Sequence, residues 1–67
     1  MTDETPKEMV SRHVRQGENH VTRQREIVAE LDAGGHKTEL ANTLLDEFEH
    51  TLAEHKAHLA RLIDEEG

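Results

Sequence analysis

The stretch "DAGGHKT", residues 32–38, is the one clear break in a 67-residue chain. Gly34 and Gly35 follow Leu31, the last apolar residue of the first half. Glycine just past a helix end readily takes the left-handed conformation that satisfies the last carbonyls. The break therefore reads as a hinge over residues 34–37, with a helix on each side. Upstream, "TPKE" (residues 5–8) marks a start: Thr5 as N-cap, Pro6 at the first helical position and Glu8 as capping-box partner. Downstream, a second helix begins between His36 and Thr38, with Thr38 the preferred cap. The expected organisation is a short acidic tail over residues 1–5 and a hairpin over 6–65, with helices over about 6–33 and 38–65.

Both halves carry a helical period. Val10, Val14, Gly17, Val21, Gln24, Val28 and Leu31 alternate steps of four and three. So do Ala41, Leu45, Phe48, Leu52, His55, Leu59 and Leu62. This is the heptad spacing of a two-helix seam. Two helices of about 27 residues, roughly 40 Å each, joined by a short hinge predict an antiparallel α-hairpin. The fold class is all-α.

The apolar stripe is wider than one partner helix needs. Met9 and Ile27 lie on one flank of the first seam. Leu40 and Leu44 lie on one flank of the second, and Ile63 on the other. A lone hairpin leaves these five wet, whereas two hairpins packed into a four-helix bundle bury them. A chain this short has little interior of its own, so a homodimer through these residues is the expectation. There are no cysteines, so neither disulfides nor a thiolate zinc site can supply the missing stability.

Composition narrows the function classes. Fourteen residues are Leu, Ile, Val or Phe and 34% are charged, close to the composition of disordered chains; the strict period decides for a folded one. Apolar runs are too short to cross a membrane. The start, "MTDETPKEMV", reads as no signal peptide, and a cytoplasmic location fits the lack of cysteine. A net charge of −7 argues against general affinity for nucleic acid or anionic membranes. The charge is uneven: residues 6–33 are neutral, while from Thr38 onward eight acids face only Lys56 and Arg61. The acidic second helix suits a basic partner protein. With residue numbers summing to about 70 across the hairpin, Arg25 is expected opposite Asp46 and Glu47 and Lys7 near Ile63 and Asp64, as exposed bridges worth about 0–1 kcal/mol each.

No catalytic constellation stands out. Ser11 is the only serine, and no nucleophile–base pair or phosphate loop is present. The chain reads as no enzyme. The histidines are the remaining chemistry. "EHTLAEHKAH", residues 49–58, holds His50, His55 and His58. At about 100° per residue, His55 falls in the seam, His58 on its flank and His50 on the outer side. On the first helix His13 and His20 stack on one flank, and hairpin pairing sets His13 level with His55 and His58. These three form the candidate divalent-metal site, for zinc or a similar ion. "EFEH" has the Glu-x-x-His spacing of di-iron bundles, but once and pointing outward. The plainer reading makes His55 a seam residue that fixes register, with the small Gly17 opposite admitting its ring. Arg12, Arg15 and Arg23 point outward and raise a weaker possibility, an RNA-binding hairpin dimer. Against it, the chain has no tyrosine or tryptophan on which bases could stack.

"HVRQGENHVTRQREIVAEL" and "GGHKTELANTLLDEFEHTLAEHKAHLARL" resemble a group of short uncharacterised α-helical proteins of alphaproteobacteria. The matching positions are His13 to His20, Gln24, Gly35 to Thr38, Leu44 to Glu49, and His55, within residues 13–62. The resemblance implies a helical fold and brings no activity, cofactor or partner. Lys37 stands where the related hinge has aspartate, which weakens a hinge-based ion site.

Overall fold

A computed structural model describes residues 3–66; Met1, Thr2 and Gly67 lie outside the described residues. Two helices pack against each other: α1 (Pro6–Ala33) and α2 (Glu39–Glu66). The start of α1 is held from both directions. The Glu8 backbone N–H donates to the Thr5 hydroxyl at 3.1 Å, and that hydroxyl donates to the Glu8 carboxylate at 3.0 Å. Of the acidic tail, Glu4 folds back along α1 and takes both nitrogens of a bidentate contact from Arg12, each at 3.0 Å.

The hinge closes α1 with a Schellman turn. The Gly35 N–H donates to the Asp32 carbonyl at 3.0 Å, and the His36 N–H to the Leu31 carbonyl at 2.9 Å. The two glycines serve different needs. Gly35 sits at φ +75°, which side chains with a Cβ disfavour. Gly34 has ordinary helical angles, but a Cβ there would stand 2.9 Å from the His36 ring. At the start of α2 the Thr38 carbonyl accepts the first helical bond, from the Asn42 N–H at 2.8 Å. The Thr38 hydroxyl accepts from the Asn42 side chain at 3.2 Å.

Cross-helix contacts fix the antiparallel register. His13 meets His55 and His20 meets Phe48, so an advance along α1 is a retreat along α2. Arg25 reaches Glu49 at 3.2 Å, not the Asp46 and Glu47 expected. Glu49 is the neighbour on the same flank as Arg25, and flank outweighs level for two long side chains. The core is thin. Val10, Val14, Val21, Ala41 and Leu52 are buried, with Leu45, Phe48 and Leu59 packed against them. Valines line α1 and larger side chains line α2. Gly17 completes this small-against-large pairing, because a Cβ there would stand 3.0 Å from the Leu52 Cδ1. The ring of His55 was the expected neighbour of Gly17; Leu52, one turn earlier on α2, takes that place and His55 packs against His13 instead. Gln24 is the one buried polar residue among those described. Its side-chain amide donates to the Ala41 carbonyl at 2.8 Å, so its burial leaves no donor unpaired and ties the helices at one level.

The hairpin measures 49 × 26 × 14 Å. The shortest dimension is about one helix with side chains, so the molecule is a single layer with two broad faces.

Candidate functional site

The faces differ in chemistry, and the difference follows from spacing. On one, His13, Gln16, Gly17 and His20 of α1 and Phe48, Thr51, Leu52 and His55 of α2 line an open depression of about 290 Å³. Seven residues is close to two helical turns, so this row extends along each helix. On α1 it runs from Met9 to Gln16 and from His20 to Ile27. On α2 it runs from Leu44 to Thr51 to His58 and from Phe48 to His55 to Leu62, with Leu40 one turn before Leu44. Within about a quarter turn of the seam on this side, neither helix has an Asp, Glu, Lys or Arg over residues 6–64. Four histidines are its only titratable groups. Met9 and Leu44 are each 39% exposed and Leu40 76%; Ile27 is half-buried.

The opposite face carries Lys7, Glu18, Arg25 and Asp32 on α1 and Glu49 and Lys56 on α2 in the same arc. Glu18, Arg25 and Lys56 line a shallow depression there, and Arg25 also pairs with Glu49. Ile63, half exposed, falls on this charged side. It thus lies apart from Met9, Ile27, Leu40 and Leu44, with which it was grouped as a contact residue.

The expected metal triad is brought together only in part. The rings of His13 and His55 lie 5.1 Å apart between centres, tilted by 51°, and both are half-buried. His58 lies in a different depression, with Glu54, His55 and Arg61. Its exposure and the neighbouring arginine separate it from the pair. Among the described residues no three His, Cys, Asp or Glu side chains form a metal-holding group. His20 packs on Phe48 at 5.7 Å, and the exposed His50 pairs with Glu54 at 2.7 Å.

Two of the three arginines considered for RNA, Arg12 and Arg23, are engaged with acids. Arg12 holds Glu4, and Arg23 lies 3.2 Å from Glu26 and 3.9 Å from Glu30. The hydrogen bond from Arg12, aided by its charge, holds the Glu4 carboxyl below the ordinary carboxylate range. The same contact raises Arg12. No helix among the described residues is long and apolar enough to cross a membrane. No family model, curated protein or solved structure matches the chain, so the alphaproteobacterial resemblance rests on the quoted residues alone.

Proposed function

We propose that the protein is a non-enzymatic interaction module that works as a homodimer, two hairpins packing their uncharged faces together as a four-helix bundle. The observation that carries this reading is the arc free of Asp, Glu, Lys and Arg over residues 6–64, with Met9, Ile27, Leu40 and Leu44 on it, in a chain that is 34% charged. A face of this kind is costly in water and favourable in an interface, where charged side chains are depleted from the core of the contact. Area supports it as well. The chain exposes 5240 Å², whereas a compact monomer of 7.6 kDa exposes about 4,300 Å². The excess, roughly 900 Å², is close to the ~800 Å² that each partner contributes to a standard interface. A radius of gyration of 15.4 Å, against about 11 Å for a compact chain of this length, has the same origin in the single-layer shape.

Ile63 lies outside this interface. In the bundle the backs of α2, with Asp46, Glu47, Glu54 and Asp64, face outward and offer an acidic surface to a basic partner protein. Sedimentation equilibrium tests the reading. At micromolar concentration the mass is expected at roughly twice 7.6 kDa; a monomer at every accessible concentration overturns it.

A further inference from the structure

We propose that His13 and His55 form a cross-helix clamp for a divalent transition-metal ion of the zinc class on the unassociated hairpin, where the face that the proposed dimer would cover is open. Three observations carry it. First, the two imidazoles come from different helices and meet at 5.1 Å between ring centres. With zinc–nitrogen bonds of about 2.0–2.1 Å, two imidazoles at a tetrahedral angle hold their ring centres about 5 Å apart. Two at the right angle of square-planar or octahedral coordination hold them at about 4.5 Å. The observed separation is compatible with the tetrahedral case.

Second, the pair lies at the edge of an open depression, so an ion can enter and water can fill the two positions that the protein leaves free. Third, the local competitors are otherwise engaged. His20 packs on Phe48, Glu54 pairs with His50, and His58 stands beside Arg61, whose positive charge disfavours a second cation ligand there. The donor set selects by chemistry: neutral imidazole suits zinc, nickel and copper, while calcium and magnesium require oxygen ligands. Because His13 and His55 are far apart in the unfolded chain, an ion held by both binds the folded hairpin and shifts the folding equilibrium toward it. The clamp would act as a staple in a chain without disulfides.

The test is urea denaturation of the full chain at pH 7.5 with EDTA and with graded zinc chloride. The folding constant is expected to rise about tenfold when zinc reaches ten times its dissociation constant. His13→Gln and His55→Gln are each expected to abolish the zinc response, His58→Gln to keep it, and magnesium to give none. Absence of a zinc response in the wild type overturns the clamp, as does a response that survives His13→Gln or vanishes in His58→Gln. Should a glutamine variant fold poorly, NMR of the wild-type histidine rings decides. Zinc is expected to move the His13 and His55 resonances together and leave His36 unmoved, whereas equal shifts at all six histidines mean non-specific binding and contradict the proposal.

Discussion

The two faces of this hairpin share one seam and differ in almost everything else. One carries Lys7, Glu18, Arg25, Asp32, Glu49 and Lys56 beside the seam, in a mixture of signs suited to water. The other has no such residue in the equivalent arc over residues 6–64, and leaves Met9, Leu40 and Leu44 substantially exposed. Both are equally available to solvent in a single-layer molecule, so stability of the lone hairpin does not explain the contrast. The proposed second copy on the uncharged side would account for it. The comparison teaches that in a two-helix protein the informative unit is neither helix but the face they make together.

The largest effect is expected where the faces join. Leu52 lines the depressions on both sides and packs on Gly17. Leu52→Ala removes this contact and leaves space that a thin core cannot refill, at a cost of about 2–5 kcal/mol in chemical denaturation. Next comes a direct contrast between faces. Leu44→Asp places a charge in the proposed interface and is expected to raise the dimer dissociation constant about 100-fold or more, which is about 2.7 kcal/mol. Ile63→Asp, on the charged side, is expected to leave it within about threefold, since a surface substitution outside the contact changes little. Equal responses in sedimentation would erase the distinction between the faces.

The hinge gives a smaller contrast. Gly35→Ala forces a Cβ into the left-handed region and is expected to destabilise the hairpin by about 1–2 kcal/mol. Gly34→Ala meets the exposed His36 ring, which can swing away, and the Glu30 carbonyl only at an ordinary 3.4 Å, so a few tenths of a kcal/mol are expected. On the charged face, Arg25→Gln breaks an exposed pair and is expected to cost under about 1 kcal/mol, less in high salt.

The smallest effect concerns acid. Since the Glu4 pKa is lowered below 4.5, the contact with Arg12 contributes above the unfolded value and is lost as pH falls through the folded one. Carboxyl carbon NMR is expected to place the Glu4 midpoint below 4.5 in the wild type, and Arg12→Gln to move it upward. An unchanged midpoint would mean that Glu4 does not hold Arg12 in solution.

Much of the fold is legible because its signals are local or periodic. Thr5, Pro6 and Glu8 announce a helix start, the glycine pair a stop, and steps of three and four the seam. The residue facing Gly17 is legible from the register, since numbers summing to about 70 set Gly17 level with Leu52 rather than His55. The flank partner of a long side chain is less legible. Flank, not level, decides that Arg25 meets Glu49. The face was encoded but easily missed. In an antiparallel pair, flanks displaced in the same angular sense fall on one side, so Met9, His13, His20 and Ile27 join Leu40, Leu44, Phe48 and His55. Reading each helix alone hides this, and groups Ile63 with residues of the other face. The histidines followed the same pattern: level along the axis brought His13 to His55, while angle around it excluded His58.

The central claim is that the uncharged face lies between two copies. Isotope-filtered NOE spectroscopy on a mixture of labelled and unlabelled chains tests it most directly, since only contacts between copies give signals. Signals from the methyl groups of Met9, Leu40 and Leu44 to the partner copy, with none from Ile63, are the predicted result. No filtered signal at concentrations up to about a millimolar, where even a weak dimer would be populated, or signals centred on Ile63 and the Arg25–Glu49 side, would contradict it.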